Sequence, residues 1–295
     1  MKTSLITRRE LLAHSARLAV VGAAVGAEVL RPLQTEAAAH GFKIGACDWT
    51  LNKRTDPAAF EVAKRLGLDG VQVDMGDVKD GLPLRKPELQ KKFLEISKKI
   101  NVTISSLALG VLNEVPLKSD PRAEQWVRDS IDVSKALGTR VVLVAFFGNG
   151  DVRGDPKGID AVVERLKRLA PPAEKAGVVL GFESWLSAEE HMAILERVGS
   201  PALQVYYDVG KSHKMGYDIY KEIRFLGKHI CEFHAKDYDD LYGKGTINFP
   251  EVRRAMDDIG YRGWIQIEGA KFPLGVEESV HYDAKYLRSV FPPKV

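Results

Sequence analysis

Cysteine is scarce: Cys47 and Cys231 are the two in 295 residues, too few for a fold stapled by a disulfide framework. An excess of either charge is also missing. Lys and Arg number 43 against 40 Asp and Glu, a formal +3. The first 39 residues hold five basic and three acidic side chains, which leaves the remainder at +1. Clustered cations to replace the counterions of a polyanion are therefore lacking, and nucleic acid is not an expected partner. There is no low-complexity stretch or linker, so disorder, collagen and a divided chain are excluded. The apolar run Leu18 to Leu30 is thirteen residues long and broken by Glu28. At 1.5 Å per residue it reaches about 20 Å, short of a hydrocarbon core of roughly 30 Å, so no stable membrane span is expected. No Gly-x-Gly-x-x-Gly follows the first expected strand, which argues against an open dinucleotide-binding sheet.

What is present begins with an address. Thr7-Arg8-Arg9-Glu10-Leu11-Leu12 precedes the apolar run and Ala37-Ala38-Ala39 follows it. A basic start, a short apolar stretch and a small-residue end are the anatomy of an export signal. The paired arginines resemble a twin-arginine signal. The expectation is a signal peptide over 1–39, cleavage after Ala39, and a periplasmic mature chain, 40–295.

From Phe42 the chain alternates short β-rich runs with helical periods. The pattern predicts strands at 43–48, 70–75, 103–109, 141–146, 178–184, 204–209, 230–236 and 264–269. Between them it predicts helices at 57–66, 87–99, 121–137, 158–176, 188–198, 218–227, 250–259 and 276–290. Asp56-Pro57, Lys86-Pro87 and Asp120-Pro121 supply start signals, and Leu137-Gly138, Ala176-Gly177 and Val198-Gly199 supply stops. Eight such pairs in about 255 residues predict a single α/β domain, a (β/α)8 TIM barrel. Cys47 and Cys231 then lie on strands separated by the last one, about 9 to 10 Å apart and beyond bridging distance.

Active groups of this architecture sit at the C-terminal strand ends. Those ends carry Glu183 in Gly-Phe-Glu-Ser, Asp208 in Tyr-Tyr-Asp-Val-Gly, His234 in Glu-Phe-His-Ala-Lys-Asp and Glu268 in Ile-Gln-Ile-Glu-Gly. Four consecutive strands ending in metal-ligand types converge on one point, because neighbouring strands are about 4.8 Å apart. Three carboxylates and an imidazole suit a divalent ion, with Mn2+ favoured and Mg2+, Co2+ or Zn2+ also accommodated.

These motifs, together with Gly243-Lys244-Gly245 before Phe249 and Gly260-Tyr261-Arg262-Gly263-Trp264 before the last strand, resemble the xylose isomerase-like barrels. The resemblance is to the sugar phosphate isomerase/epimerase group that includes the ketose 3-epimerases. It implies that Glu183, Asp208, His234 and Glu268 ligate the metal, and that Glu183 and Glu268 also exchange a proton from opposite faces of the substrate. A metal-dependent sugar isomerase or epimerase acting beside a keto-sugar carbonyl through an enediolate is the expected activity. A lyase cleaving 3-keto-glycosides by β-elimination at the same metal, and a non-catalytic sugar-binding module, stay open as alternatives. Abasic-site endonucleases of the same fold carry extra histidines on early strands, which are missing here.

The chain also departs from the epimerases. Lys211 stands where they carry a histidine, and Asp240 where they carry an arginine. Lys211 is a candidate to hold an oxyanion or act as a base, against the plainer reading of an exposed loop cation. Substrate contacts are expected from Trp49, Asp74, His213, Lys236 and Asp237, the indole by stacking on a sugar face. Strand parity turns Tyr206, Glu232 and Gln266 inward one layer deeper. Phe146-Phe147-Gly148-Asn149-Gly150 reads as a hydrophobic lid. Oligomeric state is not legible.

Overall fold

Val141-Val142-Leu143-Val144-Ala145-Phe146 is apolar and buried at every position, as a parallel strand covered on both faces must be. In the computed structural model, which describes residues 41–293, this run is the fourth strand of a closed eight-stranded parallel barrel. The expected signal region falls outside the described residues. The strands are β1 (Lys43–Cys47), β2 (Gly70–Asp74), β3 (Thr103–Leu109), β4 (Val141–Phe146), β5 (Val179–Ser184), β6 (Leu203–Asp208), β7 (Ile230–Ala235) and β8 (Trp264–Ile267). They neighbour one another in chain order, and β1 closes the cylinder against β8 with Lys43 opposite Trp264. Every strand lies within two residues of its expected bounds.

The outer layer comprises α1 (Ala59–Arg65), α2 (Pro87–Ile100), α3 (Pro121–Leu137), α4 (Pro156–Ala176), α5 (Ala188–Val198), α6 (Val209–Lys214), α7 (Ile219–Leu226), α8 (Phe249–Asp258) and α9 (Val276–Val290). Their ends are chemically marked. Asp120 and Asp155 accept the backbone N–H groups of Arg122 and Gly158 at 2.9 and 2.8 Å, and Ser187 with Glu190 forms a reciprocal capping box. Gly177 and Gly199 end α4 and α5 at φ 68° and 70°, a conformation a side chain resists. Eight helices match the expected ones. The ninth, α6, starts directly from β6 where the pattern shows only a loop.

Two cores result. The large one lies between sheet and helices and runs from Phe42 to Phe291. The second lies inside the cylinder, where Ala108, Val141, Leu143, Ala145 and Tyr206 pack with Trp49, Phe147 and Cys231. The rest of the interior is polar. Both cysteines are free, in line with their separation by β8. Among the described residues no helix is long and apolar enough to cross a membrane.

Candidate active site at the barrel mouth

Consecutive strands deliver the four ligand-type residues. Glu183 is on β5, Asp208 ends β6, and His234 on β7 is the Cα partner of Asp208. Glu268 follows β8, and its N–H donates to Ala235 O at 3.0 Å, extending the ladder one residue past the strand. One ligand atom from each lies within 4.8 Å of all the others.

Lys211 reaches the same point from α6. Asp208 caps that helix, its Oδ1 accepting the Lys211 N–H at 2.9 Å. Gly210 is pressed against β7, where a Cβ would stand 2.6 Å from Lys236 O. The side chain therefore does not lie in an exposed loop. It is 6% exposed, and its ammonium donates to Glu183 Oε1 at 2.9 Å, Asp208 Oδ2 at 2.5 Å and Glu268 Oε2 at 2.8 Å. The Phe147 ring faces it at 4.6 Å. A second ammonium, Lys236 Nζ, meets Glu268 Oε2 at 3.0 Å.

Burial opposes charge on every one of these groups, and the partners decide who wins. Burial lowers the Lys211 pKa, but Asp208, Glu183 and Glu268 outweigh it and push it well above the ordinary value. An ammonium, not a free amine base, is the favoured form. Burial likewise raises Glu183, yet Lys211 and His234 bring it below the usual carboxylate range. Glu268 is drawn well below by Lys211, Lys236 and His234 against the same desolvation. Asp208 remains raised, because burial dominates there. His234 is lowered by burial and raised more strongly by Glu183 and Glu268.

Beneath the mouth lies a polar floor. His234 Nε2 is 2.7 Å from Gln72 Oε1. Gln72 Nε2 donates to Tyr206 OH at 3.0 Å, and Tyr206 donates to Glu232 Oε1 at 3.0 Å. Ser106 and Gln266 donate to the same oxygen at 2.8 and 2.6 Å. Of the three residues that strand parity turned inward, Tyr206 and Gln266 thus both donate to Glu232, while Gln266 Oε1 has no partner. Gln72 lies on β2, and nothing in the sequence paired it with His234. Cys47 also reaches this floor: its Sγ lies 3.4 Å from His234 Nε2.

The floor bears on metal binding. With Nε2 facing the Gln72 carbonyl, His234 turns Nδ1 toward the carboxylates, 2.8 Å from Glu183 Oε1. Fixing a histidine's outer nitrogen so that the inner one faces the ion is the usual support for a ligating imidazole. Three carboxylates and this imidazole fit a divalent ion in number and chemistry, and the buried cluster is consistent with such a site.

The remaining expected residues divide. Trp49 Nε1 donates to Glu268 Oε1 at 3.4 Å, and its ring meets that of His234 edge-on at 6.1 Å, so it stands at the site with Lys236. His213 is on the rim, with Nε2 3.0 Å from Thr246 Oγ1. It lines a cleft of about 560 Å³ with Lys214, Tyr238, Asp239, Ala270 and Lys271. Asp74 and Asp237 are both buried and engaged by loop backbone. Asp74 accepts the N–H groups of Gly76 and Gly110 at 2.7 and 3.2 Å and pairs with Arg54 at 3.2 Å. Asp237 accepts those of Asp239 and Ile247 at 3.0 and 3.1 Å. Both are loop clamps, buried because backbone donors draw them in. Of the expected lid, Phe146 is fully buried and stacked on Phe182 at 3.9 Å, so Phe147 alone covers the centre.

Comparison with known proteins adds ancestry. Residues 60–290 match the family described as "Xylose isomerase-like TIM barrel". A 2-epi-5-epi-valiolone 7-phosphate 2-epimerase from Actinoplanes sp. is 27% identical over 177 residues, 60% of this chain and 65% of that protein. A D-psicose 3-epimerase from Enterocloster bolteae is 27% identical over 129 residues, 41% of this chain and 42% of that protein. The chain thus spans less than two thirds of each of these two relatives. The structure of D-psicose 3-epimerase with D-tagatose from Clostridium cellulolyticum H10 superimposes with a TM-score of 0.71 at 17% identity, covering 84% of this chain and 99% of that one. At that identity the likeness is one of fold.

Proposed function

Because this chain belongs to the xylose isomerase-like TIM barrel family, we propose that it is a sugar isomerase or epimerase that moves a proton at the carbon beside a keto-sugar carbonyl. One observation carries this reading: Glu183 and Glu268 converge on a single buried point at the mouth, with Asp208 and His234 beside them. The two epimerase relatives support it. An ion held by the quartet supplies positive charge against the negative charge that builds on substrate oxygens.

The chain's own residues do the rest. An ionised Glu183 or Glu268 takes the proton from carbon, leaving an enediolate, and the proton is then returned to carbon. Return to the same carbon on the opposite face, from the other carboxylate, inverts the centre; return to the neighbouring carbon isomerises. The Lys211 ammonium, which bonds both carboxylates when no ion is held, opposes charge on an enediolate oxygen once an ion has displaced it from them. Trp49 offers an apolar face to the sugar and Lys236 a donor, while Phe147 limits water. The chain is exported by its twin-arginine-type signal and cut after Ala39, which N-terminal sequencing of the secreted protein tests.

The test of function is turnover of keto-sugars and 3-keto-glycosides in deuterated buffer, with Mn2+ added. Deuterium entering carbon without cleavage is expected, and Glu183→Gln or Glu268→Gln should lower its rate about 10²–10⁴-fold. Aglycone release would replace this reading by a lyase. No exchange with any substrate would overturn it.

A further inference from the structure

The Lys211 ammonium has three N–H donors, and each finds a carboxylate oxygen: Glu183 at 2.9 Å, Asp208 at 2.5 Å and Glu268 at 2.8 Å. Those are three of the four residues whose ligand atoms cluster within 4.8 Å. Phe147 presents its ring to the same nitrogen at 4.6 Å, an arrangement that favours a cation over an aromatic face. The placement is built into the backbone. Asp208 pins the Lys211 N–H at 2.9 Å, and Gly210 abuts Lys236 O with no room for a side chain. An ion at ordinary coordination distance, about 2.0–2.2 Å from oxygen, would overlap the ammonium or face it across the same oxygens unscreened.

We propose that Lys211 is the resident cation of this centre, and that a divalent ion enters the quartet only by displacing its ammonium. The inference rests on reading the quartet as a metal site, and it does not depend on which sugar is turned over. It assigns to one side chain control over how tightly the centre takes a metal. Lys236 contributes a second fixed positive charge, on Glu268, which adds to the barrier against a third cation.

The experiment is titration calorimetry with Mn2+ on the mature chain, comparing wild type with Lys211→Met, Lys211→Gln and Lys211→Arg. Circular dichroism confirms that each is folded, and the glutamine variant stands in if the methionine variant is not. Wild type and Lys211→Arg should bind weakly. Lys211→Met should bind one ion at least about tenfold tighter, equivalent to about 1.4 kcal/mol, and adding Asp208→Asn should erase the gain. Melting temperature should rise with Mn2+ more in Lys211→Met than in wild type. Equal affinity in wild type and Lys211→Met would overturn the inference while leaving the metal site intact. Binding in neither would overturn the metal site, and the inference with it.

Discussion

Replacing Gln72 by Leu tests whether the floor orients the chemistry above it. The change nearly conserves volume but removes the acceptor 2.7 Å from His234 Nε2 and the donor 3.0 Å from Tyr206 OH. Tyr206 keeps its bond to Glu232 at 3.0 Å and is little affected. His234 is left with Cys47 Sγ at 3.4 Å, a weak partner. A buried donor deprived of its acceptor costs about 1–3 kcal/mol. In a domain of this size each kcal/mol lowers Tm by about 2–4 °C, so a fall of about 2–12 °C is expected. The imidazole also loses what holds Nδ1 toward Glu183, and such supporting partners are typically worth about 10–100-fold in metal affinity or activity. Thermal denaturation followed by circular dichroism, run beside the deuterium-exchange assay, reads both effects. A melting point and an exchange rate both indistinguishable from wild type would refute the claim that Gln72 sets the imidazole.

Two further outcomes follow from the electrostatics. Burial lifts Glu232 from 4.5 to about 6. The unfolded chain ionises first, so the charge destabilises the fold above about pH 6 and not below 4.5; a shift of that size is worth about 2 kcal/mol. Glu232→Gln should flatten this part of the stability curve, which urea unfolding across that pH window measures. Lys236 helps depress Glu268, so Lys236→Met should raise the Glu268 pKa and move the acid limb of the kcat/KM profile to higher pH. An unshifted limb would assign that limb to another group.

The barrel was legible because its grammar is local. Asp120 announces a helix start through its own backbone bond, and strands such as Val141–Phe146 are apolar at every position. The convergence of Glu183, Asp208, His234 and Glu268 followed from strand order alone. What stayed hidden depends on closure and on short-range capping. Val209–Lys214 contains glycine and no apolar period, and it is helical because Asp208 caps it. Asp74 and Asp237 read as rim carboxylates, because the backbone donors that turn them inward belong to loops with no sequence signature. Gln72 and Ser106 meet Tyr206 and Glu232 across the cylinder, a pairing that appears only once β1 meets β8.

Asp208 divides its two oxygens between different tasks. Oδ1 starts a helix, while Oδ2 grips the side chain of that helix's third residue. Architecture and electrostatics are soldered at this carboxylate, so an inactive Asp208 variant would not reveal which of the two had failed. Glu183 and Glu268 start no described helix, so substitutions there leave the helix caps alone and remove only side-chain partners of Lys211, His234 and Lys236.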